Sequence, residues 1–407
     1  AGMTAVSFEE KADVYLINTC SVTNMADKKS RQMIHRAKKL NPDAVVIAAG
    51  CYVQAAKDKL MEDDRISIII GNNKKKDIVQ ILEDYLEIGV TDEGMLDIAA
   101  EKEYEPLTIN STLEHTRAYV KIQDGCNQFC SYCIIPYVRG RIRSRELASI
   151  TEEVERLAQT GVKEIVLTGI HISSYGKDKE NEVGLADVID AISKIESIER
   201  IRLGSLEPGI ITDTFIDRIV DNKKVCPHFH LSLQSGCNTV LKRMNRKYTC
   251  EEYFEKCEML REAFDRPALT TDVIVGFPGE TDEEFQETVD YLTKLNLYEM
   301  HIFKFSPRQG TVAAGMRDQI GPEIKNQRSD VLLALSEKNK HAYEASFRGE
   351  TLEVLIEEKV RRNGKDGYRG HTERYIDIFV EEECMHRICG REVDIINHIV
   401  QIPYGME

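Results

Sequence analysis

No run of about 18 apolar residues occurs in the 407-residue chain, so no membrane-spanning helix is expected. No basic stretch followed by an apolar one opens it: AGMTAVSFEEKADV predicts no secretory signal. Positive charge is not in surplus, with 69 acidic against 54 basic residues and a net charge of −15. That excludes a grip on nucleic acid through overall charge, though not through local basic stretches. An even set of cysteines is also lacking. There are 11, and without an export signal they are expected as reduced thiols of a cytoplasmic protein, not as a disulfide framework. No solenoid-period repeat and no low-complexity tract is found. The opening AGMTAVSFEE lacks an initiator Met and reads as the tail of an earlier helix and its loop. A preceding strand is expected to be missing.

What is present is alternation, in a chain long enough for two or three domains. Residues 1–105 read as a doubly wound α/β domain, with strands at 13–18, 44–49 and 66–70 and a basic helix over 28–40. Cys20 and Cys51 each fall just past the carboxyl end of a strand, the edge where ligands collect in open parallel sheets. A polar stretch, 101–115, reads as a linker. Over 112–346 six further strands are expected, at 118–122, 164–170, 200–205, 227–232, 271–277 and 299–305. Capping-box spacings mark helix starts at Ser149, with Glu152, and at Thr281, with Glu284. Six βα repeats imply a barrel or partial barrel closed by a helix over 323–346. Residues 349–407, with TLEVLIEE, YIDIFVE and EVDIINHIV between Gly-rich turns, read as a small antiparallel β-barrel.

The densest chemistry lies in DGCNQFCSYCIIPYVRG (124–140). Cys126, Cys130 and Cys133 stand within eight residues. Such gaps could place thiols on one helix face, but Asp-Gly before them and Pro136, Arg139 and Gly140 after them favour an irregular loop. The loop follows a strand, at the catalytic end of a parallel barrel. Structural zinc prefers paired knuckles with four ligands, and no second knuckle or His pair follows. A zinc-stabilised RNA-binding protein is the non-enzymatic alternative. An iron–sulfur cube suits three local thiolates better, because it leaves one iron open, as catalysis requires.

The spacing C-x3-C-x2-C, with an aromatic before the last Cys, resembles the signature of radical S-adenosylmethionine (SAM) enzymes. The resemblance implies a [4Fe-4S] cluster on Cys126, Cys130 and Cys133, SAM chelated by the open iron, and a 5′-deoxyadenosyl radical formed with an electron from an external donor. Tyr132 would lie near the adenine. INTCSVTNMADKKSRQ, AAGCYVQ, LTGIHISSYG, LQSGCNTVLKRMNRKYT and DVIVGFPGETDEEF extend the likeness to the methylthiotransferases over nearly the whole chain. That family implies an amino-terminal domain with a second [4Fe-4S] cluster, a radical SAM partial (β/α)6 barrel and a carboxyl-terminal TRAM barrel. Cys20 and Cys51 match two of the three ligands of the second cluster. The first, in a Gly-Cys motif, has no match here, which predicts an amino-terminal truncation. Three branches act on isopentenyladenosine in tRNA, on a ribosomal-protein aspartate, or on threonylcarbamoyladenosine at tRNA position 37. LTGIHISSYG and IIPYVRGRIRSR resemble the third, which implies methylthiolation of adenine C2 in a tRNA anticodon loop.

Further candidates follow. Thr168 and Gly169, Ser205 and Glu207, Gln234 and Ser235, and Gly276 stand at barrel strand ends and are candidates for SAM contact. Arg246, from the group Lys242, Arg243, Arg246 and Lys247, is a candidate for the SAM carboxylate. Arg139, Arg141, Arg143 and Arg145 alternate, so an extended strand would present them to tRNA phosphate on one face. Residues 349–407 carry 8 Lys/Arg against 13 Asp/Glu. RNA binding there needs Lys359, Arg361, Arg362, Arg369 and Arg374 on one side, with Tyr368 or Tyr375 stacking. The helix over Lys28–Lys39 is a third basic candidate. Cys226, Cys237, Cys250, Cys257, Cys384 and Cys389 lack ligand spacing and read as ordinary thiols. Oligomeric state is not legible.

Overall fold

The structure, a computed structural model, describes residues 2–21, 24–89, 95–107, 116–180, 183–389 and 395–405. Most of the expected linker, 108–115, and part of EVDIINHIV lie outside these. The chain forms two compact units. One comprises Ala1–Leu107, Asp124–Arg143 and Ser306–Met316, and the other Thr108–Gln123, Ser144–Phe305 and Arg317–Glu407.

In the first unit, strands β1 (Val14–Thr19), β2 (Val45–Gly50) and β3 (Ile68–Ile70) form a parallel sheet in that order. The central strand, VVIAAG, is almost continuously apolar and almost continuously buried, as a strand covered on both faces must be. Helix Asn24–Leu40 brings Ile34 and Ala37 against Tyr15, Val46 and Ala48 on one face. On the other, Leu82 of helix Ile78–Ile88 meets Ile47, Ala49, Ile68 and Ile70. Thr19 and Gly50 are register partners, so Cys20 and Cys51 leave neighbouring strand ends, one residue on.

The second unit is built on β4 (Arg117–Asp124), a short β5 (Arg143–Ser144), β6 (Glu164–Gly169), β7 (Arg200–Leu203), β8 (His228–His230), β9 (Ala268–Val275) and β10 (Glu299–Lys304). Parallel pairing joins β4, β6 and β7, and likewise β8, β9 and β10. Parallel bridges Ile201↔Val225 and Leu206↔Leu231 join the two sets. The result is a partial barrel of six strands. Alternation decides its two faces. Ala118, Val120, Ile165, Leu167, Ile201, Leu203, Phe229, Leu269, Val273 and Met300 pack outward in one apolar cluster with the helices. The intervening residues, many of them charged, face the interior.

Side-chain capping marks some of the helix starts. Thr281 and Glu284 form the expected box, and Thr249 with Glu252 forms another. Ser149 does not: helix Leu147–Gln159 starts earlier, and the Ser149 hydroxyl accepts instead from Arg145 Nε at 3.2 Å. The closing helix spans Pro322–Ala345.

At the carboxyl end, β11 (Thr351–Arg362), β12 (Lys365–Thr372), β13 (Asp377–Glu381) and β14 (Ile399–Pro403) form an antiparallel sheet in the order β13-β12-β11-β14. An unforeseen helix, Glu382–Cys389, separates the last two and buries Met385 in the sheet's core. Its acidic first turn and basic last turn were the available signal. The EVDIINHIV stretch enters a strand only at Ile399.

This sheet docks on the amino-terminal ends of the barrel strands. Arg200 donates to the His371 and Glu353 carbonyls at 3.0 and 2.9 Å, and Arg202 to the Glu373 and Thr372 carbonyls at 2.8 and 3.2 Å. Glu164 pairs with Arg202 at 2.7 Å. The guanidiniums of Arg117 and Arg202 lie 5.0 and 4.9 Å from the Tyr375 ring centre, and His371 stacks on that ring at 4.6 Å. Tyr375 therefore belongs to this junction and not to an RNA-stacking surface, a correction to the sequence expectation.

Candidate active site

Within the first unit, residues 125–134 form no helix or strand. Gly125 turns the chain at φ 71°, where a Cβ would stand 1.8 Å from the Arg141 carbonyl oxygen, so glycine is required. The Cys126 N–H donates to the Gly140 carbonyl at 3.0 Å, closing the loop, and Cys133 N–H donates to Cys130 C=O at 3.0 Å. Phe129 takes φ 50°, reversing the backbone between the first two cysteines. Cys126 is buried, Cys130 and Cys133 half-buried, and none is in a disulfide. The Gln128 N–H donates to Cys126 Sγ at 3.4 Å. Three thiols on an irregular turn, one already accepting a backbone N–H, suit a sulfur-ligated cluster.

Cys51 lies in the same unit. Its sulfur accepts from Arg139 Nε at 3.1 Å and Asn72 Nδ2 at 3.6 Å, and Asn72 also donates to the Val138 carbonyl at 2.6 Å. Arg139 pairs with Asp124 at 3.2 Å. Burial opposes the Arg139 charge, yet Asp124 and Cys51 hold its pKa above the usual value. Beside the exposed Cys20, Ser21 and Asp27 receive Arg308 at 2.7 Å each. Neither Asn72 nor Arg308 was singled out from the sequence, because their partners are 66 and 287 residues away.

In the second unit a polar network lines the carboxyl ends of β6 to β8. Gln123 Oε1 accepts the His171 N–H at 2.7 Å. Glu207 Oε1 stands 3.6 Å from His171 Nε2 and 2.6 Å from Arg246 Nη2. Burial raises the Glu207 carboxyl, but His171 and Arg246 outweigh it and hold the group below its ordinary range. Arg246 also donates to Tyr248 Oη at 2.8 Å and the Ser232 carbonyl at 3.2 Å.

The radical SAM superfamily matches residues 120–292, and the uncharacterized protein family UPF0004 matches residues 1–71. Over 405 residues the chain is 40% identical to the threonylcarbamoyladenosine tRNA methylthiotransferase MtaB of Bacillus subtilis strain 168, covering 99% of this chain and 87% of that one. The enzyme of the same description from Aquifex aeolicus is 41% identical over 377 residues, covering 93% and 90%. The chain belongs to the radical SAM methylthiotransferases. Identity is 37% over 398 residues to the tRNA-2-methylthio-N(6)-dimethylallyladenosine synthase of Thermoanaerobacter pseudethanolicus, covering 94% and 83%. In fold it is similar to the radical SAM methyltransferase TsrM of Kitasatospora setae, at TM-score 0.59 and 16% identity, covering 75% of this chain and 64% of that one.

The methylthiotransferase structure also sorts the remaining candidates. Tyr132 and Thr168 are half-buried, and Gly169 and Ser205 are exposed at the strand ends. Gln234 holds φ 77°, its N–H donating to the Asp272 carbonyl. Ser235 is fully buried, sharing its hydroxyl with Thr288 and the Cys237 N–H, just ahead of helix Asn238–Arg243. Arg246 is held by Glu207 and thus orients that carboxylate. Gly276 is explained by packing, since a Cβ there would meet Lys325 Cγ at 2.3 Å.

The arginine comb is not one surface. Arg143 is 1% and Arg145 3% exposed, Arg145 pairs with Glu153, and Arg139 is engaged as above. Only Arg141 of the four is exposed, and its guanidinium lies 4.6 Å from the Phe129 ring centre. The segment is too irregular to alternate faces. Arg361 and Arg362 are exposed, but Arg369 pairs with Asp377 and Lys359 with Glu382, and Arg374 donates to the Asp265 carbonyl. Burial pushes the Cys226, Cys250 and Cys257 thiols up to about 12, in keeping with inert core residues.

Proposed function

We propose that this enzyme methylthiolates C2 of the adenine in N6-threonylcarbamoyladenosine at tRNA position 37. The observation that carries the reading is identity of 40% over 99% of the chain to a threonylcarbamoyladenosine tRNA methylthiotransferase. Cys126, Cys130 and Cys133 would hold a [4Fe-4S] cluster, and Cys20 and Cys51 would be the two ligands in this sequence for a second. When bound, the cluster supplies the electron that opens SAM to a hydrogen-abstracting radical, and a second SAM supplies the methyl group.

The chain's own residues have distinct tasks. Gly125 and the Cys126–Gly140 bond shape the thiol loop, and the Gln128 N–H stabilises charge on Cys126 sulfur. Arg139 ties Asp124, the last residue of β4, to the Cys51 sulfur. In the second unit His171 and Tyr248 steady the Glu207–Arg246 pair, with Thr168, Gly169, Ser205 and Gln234 as further candidates for SAM contact; in the first unit Tyr132 is the candidate for the adenine. Arg141, Arg361 and Arg362 are exposed candidates for tRNA phosphate.

Anaerobically reconstituted protein, SAM, a reductant and tRNA bearing threonylcarbamoyladenosine should yield the 2-methylthio nucleoside by mass spectrometry of digests. Cys130→Ala should lose one cluster's worth of iron and all SAM cleavage. A Cys130→Ala protein that still cleaves SAM would refute the ligand assignment.

A further inference from the structure

The barrel interior holds three polar side chains with no part in the network above. His230 of β8, Asp272 of β9 and His301 of β10 lie on neighbouring strands and face inward, since Phe229, Val273 and Met300 beside them pack outward. Asp272 and His301 are register partners. One ligating atom from each residue lies within 4.8 Å of those of the other two. His230 is fixed by a 3.0 Å hydrogen bond from Nδ1 to the Thr270 hydroxyl, which turns Nε2 to within 3.4 Å of the Asp272 carboxylate. That buried nitrogen makes no hydrogen bond among the described residues. The His301 ring stacks at 5.6 Å on His230 and is exposed.

Two aromatic rings on inward rows are also open. Tyr119 of β4 is 47% and Phe303 of β10 50% exposed. A closed barrel fills its interior with branched apolar side chains. This one leaves aromatic faces open beside the half-buried Asp272 and the exposed His301, which suits a flat base with a polar substituent. A groove of about 390 Å³ runs along β10, lined in part by His301 and Phe303.

Resting on the threonylcarbamoyl reading, we infer that His230, Asp272 and His301 recognise the N6 substituent of the target nucleoside and set substrate choice. The threonylcarbamoyl group offers a carboxylate and a carbonyl to accept from imidazole N–H groups. It also offers ureido N–H and hydroxyl donors to the Asp272 carboxylate. An isopentenyl group offers only hydrocarbon, so binding it would cover Asp272 and His301 without supplying either with a polar partner. Sites built this way reject the apolar analogue strongly.

The test uses the full reconstituted chain and anticodon stem-loops bearing threonylcarbamoyladenosine, its carboxamide analogue or isopentenyladenosine. The wild type should favour the first in kcat/KM. His301→Phe and Asp272→Asn should raise KM for it roughly ten- to a hundredfold, the scale of one hydrogen bond to a charged group. In His301→Phe the preference for carboxylate over carboxamide should collapse. Unchanged preference in both variants, with wild-type melting temperatures, overturns the inference while leaving the tRNA reading intact. So does stoichiometric Zn²⁺ binding that His301→Phe abolishes without moving KM, since the trio is then a metal site. A wild type that modifies only the isopentenyl stem-loop overturns the tRNA reading itself, and this inference with it.

Discussion

Cys51 shows how little of a residue's role is carried by its own letter. In sequence it is a thiol after a strand. In the fold its sulfur faces Arg139 and Asn72, donors from parts of the chain 88 and 21 residues away. Hydrogen bonds to sulfur tune iron–sulfur clusters, so these two donors are as informative as the cysteine. The trio at 126, 130 and 133 stands out in the sequence because its thiols are neighbours, whereas the donors around Cys51 are not. At this scale the sharpest test is Gly125→Ala. The added carbon meets backbone at 1.8 Å and the φ disfavours it, so a loss of more than about 1 kcal/mol and a lower iron content per chain are expected. Gly209→Ala, with nothing within 4 Å, is the matched control and should match wild type in both measurements.

At the scale of elements, the strands were legible because apolar runs bounded by turns carry their own signal. Helix starts were only half legible. Thr281–Glu284 and Ser149–Glu152 read alike, yet only the first caps, because Arg145 captures the Ser149 hydroxyl and the helix begins at Leu147. Thr281→Ala should accordingly cost about 1 kcal/mol, and Ser149→Ala should not show a capping loss; urea denaturation of the two variants side by side checks this. The arginine comb failed for a related reason. A period-two pattern presents one face only on a regular strand, and the chain from 139 to 145 is regular over just Arg143–Ser144.

For the molecule as a whole, the junction at the amino-terminal end of the barrel carries the largest electrostatic stake. Glu164 is 1% exposed, between Arg202 and Arg200. Burial raises its carboxyl, but Arg202 and then Arg200 lower it further, so the net shift is below the usual 4.5. A depressed folded-state value stabilises the fold above the unfolded pKa and loses that contribution as pH falls through the folded one. Glu164→Gln should therefore destabilise by about 3–5 kcal/mol at neutral pH, leaving the buried Arg202 guanidinium without its anion. The gap between variant and wild type should narrow below pH 4.5 in urea titrations. A gap that stays constant into acid would reject the ion-pair account.

Hydrophobic periodicity, turn residues and the spacing of three thiols were enough, by themselves, to set out the α/β order, the six-stranded barrel, the antiparallel end and the cluster loop, because each is written in neighbouring residues. Folding alone settled which arginines are buried struts, that Tyr375 packs between Arg117, Arg202 and His371, and that His230, Asp272 and His301 meet across three strands. Those facts depend on register and side-chain direction between distant segments, and no local pattern encodes either.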